Sequence, residues 1–216
     1  VLTCAMRPAS SRFADGPQNL EDAVALASTA DAAGVVVVCA GRIHAAVQVQ
    51  KVHPYRLDAF DSGESGPMGW VEEGRVRWAS PSLGAGPTQA LGGHGPATAG
   101  ALEALMRLDH WPRVEIVMNY VGAGGLMVEA LLAPPTNALD PLRGLVVAGT
   151  GNGTLHRDLE AALLRAQAAG VRVVRSTRCA YGQVLQTAQP SLPHSHGLSP
   201  VKARVALMLE LAGASP

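Results

Sequence analysis

The chain has 216 residues, 48% of them hydrophobic, and its 17 Lys and Arg balance 17 Asp and Glu, so the formal net charge is zero. That length holds one large domain or two small ones with apolar material enough for a core, and the scattered cations offer no basic patch to a nucleic-acid backbone or an anionic membrane surface. No apolar run approaches the roughly 20 residues of a membrane helix, so neither nucleic acid nor membrane is expected as a partner.

Apolar and amphipathic runs alternate along the chain. Residues 1–6 read as a short strand entered in mid-element, with no leader or cap before it. Residues 19–33 carry Leu20, Val24 and Ala27 at helical spacing and stop before Gly34, and 35–39 are continuously apolar and β-branched, as in a strand covered on both faces. Together they predict a βαβ unit. Between Gly69 and Trp78, apolar and polar residues alternate around Glu73-Gly74, the pattern of a hairpin with one solvated face. Residues 80–100 are rich in Gly, Pro, Ala and Thr and nearly uncharged, which predicts a linker, placed over 81–112.

Beyond it the alternation resumes, with strands predicted at 114–120, 142–148 and 171–176 and helices at 126–132, 157–169 and 200–211. Short strands separated by helices require parallel, right-handed crossovers. The expected fold class is therefore α/β: the remnant of an N-terminal parallel α/β domain over 1–80, and a small three-layer, flavodoxin- or Rossmann-like domain over 113–216. In the last helix Ser199 can cap, Pro200 takes the first position and Gly213 stops it, while Val201, Val205, Met208 and Leu209 are expected to cover the sheet.

Chemistry-bearing residues are sparse. Ala148-Gly149-Thr150-Gly151-Asn152-Gly153-Thr154 follows a strand and precedes a helix, the setting of a dinucleotide-binding turn. Thr154 occupies the third glycine position, however, and the next strand ends in Arg175-Ser176 without the ribose-binding acid; a tight βα turn is the alternative. His44 reads as a hydrogen-bonded structural histidine rather than a ligand or base, and His194, His196 and His156 as a solvated set without a carboxylate or thiol to complete a metal site. Neither Ser10-Ser11 nor Ser176-Thr177 sits in a nucleophile elbow. Cys4, Cys39 and Cys179 lack CxxC spacing, and the first two lie in apolar runs, which suits buried, reduced thiols. No catalytic residue, metal or cofactor is assigned.

Ala5-Met6-Arg7-Pro8 followed by Ala14-Asp15-Gly16-Pro17 resembles the AMRP…ADGP signature of the bacterial L-asparaginase (asparaginase/glutaminase) family. Arg42-Ile43-His44-Ala45-Ala46, Asp58-Ala59-Phe60, Gly66-Pro67-Met68-Gly69, Val174-Arg175-Ser176-Thr177-Arg178 and Pro200-Val201-Lys202-Ala203-Arg204-Val205 match further family segments in the family's order. The resemblance implies an amidohydrolase acting on L-asparagine, with L-glutamine left open as a second substrate, and a homo-oligomer. It also places the Thr nucleophile upstream of the AMRP block. The chain is accordingly expected to be an N-terminally truncated fragment, inactive alone, and cytoplasmic with a periplasmic location left open. In the family a Glu after the RSSR strand and an Asn after the first C-domain strand reach a neighbouring subunit's site; alignment puts Gln189 and Gly122 at these positions, the two expected substrate-binding residues. Val47 and Gln48 stand where the family carries an Arg-Asp pair. The family also offers a third role for the glycine-rich turn, support of a subunit interface. The alternative to an enzyme is a non-catalytic α/β binding or interaction module built on the same scaffold.

Overall fold

Pro17 opens the first helix, α1 (Gly16–Ala27), where its missing N–H costs no hydrogen bond. The computed structural model describes residues 1–80, 103, 105–133, 141–185 and 192–213. Two units, Val1–Ala90 and Leu91–Pro216, divide the chain. The stripe expected on α1 faces water, with Leu20 and Val24 about 60% exposed, and the inward face is Asn19, Asp22 and Leu26. Apolar spacing misleads here because two of the three inward positions are polar. Asn19 Nδ2 donates to Cys4 O (2.8 Å), its Oδ1 accepts from Ala40 N (3.0 Å), and so a buried amide is satisfied by backbone on both sides.

β1 (Val36–Cys39) turns through Ala40-Gly41, both at positive φ, into β2 (Arg42–Ala45). This is the tight hairpin geometry whose twist matches that of the strands. A minor pair, β3 (Gln50–Lys51) and β4 (Phe60–Asp61), follows. β5 (Gly69–Glu72) and β6 (Arg75–Trp78) form the expected hairpin around Glu73-Gly74, and β5 also pairs with β2. The resulting sheet has the order β1-β2-β5-β6 and is antiparallel throughout. Residues 1–6 contribute a single parallel bridge, Leu2 to Val37, in place of a full strand. Leu26, Val38, Ile43, Met68 and Val71 fill the core of this unit.

The second unit follows the predicted alternation. β7 (Arg113–Met118), β8 (Leu142–Gly149) and β9 (Arg172–Thr177) lie parallel in that order. Val117, Leu145, Val147 and Val173 pack with α2 (Leu126–Leu132) and α3 (Arg157–Ala168) through Val128, Leu159 and Leu163. Val114 and Val146 instead meet α4 (Pro200–Gly213), so the three layers close on a central strand buried from Gly144 to Gly149. The face of α4 differs from expectation. Val201 and Val205 are at least half exposed and Leu209 is partly so, whereas Ala203, Leu207 and Leu211 are buried and only Met208 of the expected set joins the packing. α4 is apolar on nearly every side, so periodicity cannot choose a face. Close approach does: a Cβ on Gly144 would lie 2.8 Å from Leu207 Cδ2, and this absence of a side chain seats the helix on the sheet.

Candidate functional site

The two halves of the AMRP…ADGP signature are joined by one carboxylate. Asp15 accepts from Met6 N (2.9 Å) and Arg7 N (2.8 Å), and Asn19 Nδ2 adds a third bond at 3.1 Å. Burial alone would raise the Asp15 pKa; the amide hydrogen bonds from Met6 and Arg7 outweigh it and hold the carboxyl below its usual range. Asp15 and Asn19 therefore fix the path of residues 4–7 from α1. Spacing alone gave no sign of this, because the partners are backbone amides.

In the second unit, the loops after β7 and β8 lie at the carboxyl ends of the parallel strands, the edge where α/β sheets bind ligands. Gly122 lies in the first, after β7; it is exposed, has φ +77°, and a Cβ built there meets nothing within 4 Å. Gln189 lies outside the described residues. Asn119, buried beside Gly122's loop, accepts from His156 N at 2.7 Å and ties that loop to the start of α3. The second loop is the glycine run, and it closes on itself: Thr150 N donates to Thr154 O (3.1 Å) and Thr154 N returns to Thr150 O (2.8 Å). Thr177 Oγ1 donates to Gly151 O and Arg178 N to Gly149 O. The backbone groups of Thr150 and Thr154 and the carbonyls of Gly149 and Gly151 are thus engaged by the chain, and a Cβ at Gly149 would lie 2.6 Å from the Gly153 backbone. This is the geometry of a tight βα turn, the alternative that the missing third glycine already favoured.

The remaining candidates are structural. His44 Nδ1 lies 2.8 Å from Ser62 Oγ, a pairing missed by spacing, but both residues are buried, and burial lowers the His44 pKa so that the ring stays neutral. Ser176 Oγ donates to Leu198 O, Ser195 Oγ to the same carbonyl, and Ser11 Oγ accepts from Phe13 N within a local turn. The rings of His194 and His196 meet at a 48° tilt with centroids 4.3 Å apart, and His194 Nδ1 accepts from His196 N, while His156 caps α3 by accepting from Asp158 N. Gln48 donates to Ser65 Oγ at 2.7 Å and Val47 is exposed. Among the described residues, no group of three or more His, Cys, Asp or Glu is placed to hold a metal ion, and no helix is long and apolar enough to cross a membrane.

Comparison with known proteins agrees with this geometry. The family described as Asparaginase, N-terminal matches residues 1–83, and the Glutaminase/Asparaginase C-terminal domain matches 113–215. L-asparaginase 2 of Escherichia coli is 33% identical over 98% of this chain and 58% of its own length; Glutaminase-asparaginase of Pseudomonas fluorescens is 31% identical over 98% and 56%. The chain thus spans little more than half the length of these relatives. The crystal structure of a probable cytoplasmic L-asparaginase from Campylobacter jejuni superimposes with a TM-score of 0.81 at 32% identity, covering 97% of this chain and 63% of that one. With a signature closed by Asp15, an α/β fold in common and both domains of the family matched in order, the chain belongs to the asparaginase family.

Proposed function

We propose that this chain forms the greater part of an asparaginase/glutaminase-type amidohydrolase, with residues 1–80 ending its N-terminal domain, 81–112 a linker and 113–216 its C-terminal domain. The ordered match of both family domains along one chain carries this reading. The reaction is hydrolysis of the L-asparagine side-chain amide to L-aspartate and ammonia, with L-glutamine as the second amide to test. A Thr hydroxyl attacks the amide carbon, ammonia leaves, and water hydrolyses the acyl-enzyme, which requires a proton acceptor beside the nucleophile and an oxyanion site.

We place that nucleophile outside the 216 residues, in the part of the relatives that this chain does not span. Among the described residues, the hydroxyls of Thr3, Thr29, Thr150 and Thr177 each donate to a backbone carbonyl, which supports the assignment. Gly122 and Gln189 are proposed as substrate-side positions lent to a neighbouring subunit in a cytoplasmic homo-oligomer. Ammonia release tests the reading directly. The chain alone should produce none from L-asparagine or L-glutamine above a heat-killed control, whereas a chimera carrying the missing region of the Escherichia coli relative should. In that chimera Gln189→Glu should lower KM for asparagine by a few-fold to about 20-fold, since a carboxylate adds charge assistance toward the substrate ammonium group. A folded chimera without activity would favour the non-catalytic module, and an unchanged KM would remove Gln189 from the site.

A further inference from the structure

Two thiols 35 positions apart in the chain meet in the first unit. Leu2 pairs in parallel with Val37, Leu2 N donating to Val36 O (2.8 Å) and Val38 N to Leu2 O (2.9 Å). Continuing that register by two residues sets Cys4 opposite Cys39 on the same side of the pleat. Their Sγ atoms are 3.3 Å apart. Thr3 Oγ1 donates to Val38 O (2.7 Å) and Asn19 Nδ2 to Cys4 O (2.8 Å), so the backbone is pinned on either side of the sulfurs. Cys39 is buried and Cys4 half-buried, while Cys179 is exposed and belongs to the other unit.

With the two Sγ atoms 3.3 Å apart, the pair already lies within about 1.5 Å of disulfide bonding distance. Closing from 3.3 Å to a bond of about 2.0 Å needs side-chain rotation and a small strand adjustment. We propose that Cys4 and Cys39 are a redox-active dithiol, a modification site at which a disulfide-class oxidant such as oxidised glutathione forms an intrachain bond tying residues 2–4 to β1.

Cys4 acts first. Burial, reinforced by the neighbouring Cys4 thiol, pushes the Cys39 pKa up to about 12, so Cys39 carries its proton at neutral pH. The Cys4 thiolate attacks one sulfur of glutathione disulfide; the S–S bond breaks, one glutathione thiolate leaves and a mixed disulfide forms. Cys39 then gives up its proton as its sulfur attacks the Cys4 sulfur and expels the second glutathione thiolate. Two protein thiols lose two electrons and two protons, and one glutathione disulfide becomes two glutathione thiols.

The test treats the 216-residue chain with excess oxidised glutathione, alkylates it and digests it without reductant for peptide mass spectrometry. The Cys4 and Cys39 peptides should appear joined, two hydrogens lighter than their sum, and should separate again in excess reduced glutathione. In Cys39→Ala, Cys4 should stop at the glutathione mixed disulfide. Because the crosslink closes a loop spanning 35 positions, oxidation should raise the Tm of the first unit by about 5 °C or more, and should not do so in Cys4→Ser. Cys4 and Cys39 both remaining alkylatable while Cys179 is glutathionylated would overturn the proposal, as would a Cys4–Cys179 link. Should either variant fail to fold, the wild-type digest decides alone.

Discussion

Asp15 and His44 respond to acid for different reasons, and the difference can be measured. Asp15 contributes stability as a carboxylate receiving amide hydrogen bonds, and its pKa is lowered; that stability is present above the ordinary value of 3.8 and is lost as pH falls through the folded-state value. Asp15→Ala should therefore destabilise the first unit by about 1–3 kcal/mol at pH 7, three hydrogen bonds to a half-buried carboxylate being removed. A cost below about 1 kcal/mol in denaturant titration would reduce Asp15 to a surface acid. His44 is held neutral chiefly by burial, with its pKa below 6.5. Its folded form resists a proton that the unfolded chain accepts, so stability is full above about pH 6.5 and falls as pH drops below it. The Tm of the first unit should decline between pH 7 and pH 5, and His44→Gln should flatten that slope. A slope unchanged in the variant would assign the effect to another group.

At the scale of elements, glycines separate two kinds of loop. Gly149→Ala drives a Cβ to 2.6 Å from backbone atoms of Gly153, which cannot rotate away, and should cost about 1–3 kcal/mol. Gly122→Asn places its side chain in open space at φ +77°, a conformation Asn tolerates, and should stay within about 1 kcal/mol of the parent. If the two substitutions were equally disruptive in urea unfolding, the tight turn would not be the reason for Gly149. The strands and helices of the second unit were legible because each is a single run with one dominant period: all three strands and α2, α3 and α4 lie within two residues of expectation. What periodicity could not supply was orientation. α1 turns Asn19 inward because Cys4 O and Ala40 N receive it, and α4 turns Ala203 and Leu207 inward because Gly144 makes room. The β1–β2 hairpin is not evident from the sequence because Ala40-Gly41 directly follows the apolar run 35–39 and lacks the Asn-Gly or Asp-Gly pair that marks such a turn. Tertiary partners also made the Cys4–Cys39 and His44–Ser62 pairs, which no local spacing announces. The expected linker and Gln189 lie largely or wholly outside the described residues.

At the scale of the molecule, the second unit carries the elements of a self-contained domain. Its parallel sheet is covered on one face by α2 and α3 and on the other by α4, and Arg204 Nε donates to the Val114 carbonyl at 2.7 Å, fixing α4 to β7 across the length of the unit's sequence. The edge of β9 is paired as well, since Arg175 N donates to Pro193 O and Ser195 N to Arg175 O, which leaves less open backbone for aggregation. Residues 113–216, of ordinary domain size, should therefore fold when expressed alone. Circular dichroism should show mixed α/β structure and a cooperative thermal transition. Leu207→Ala should lower that transition by the equivalent of about 2–5 kcal/mol, because Leu207 is fully enclosed by the sheet, whereas Val205→Ala on the exposed side of the same helix should stay within about 1 kcal/mol. The helix supplies the internal control: the two substitutions delete similar apolar atoms and differ in burial. A non-cooperative melt of the isolated segment, or equal losses from Leu207→Ala and Val205→Ala, would show that this sheet and its helices do not form an independent core.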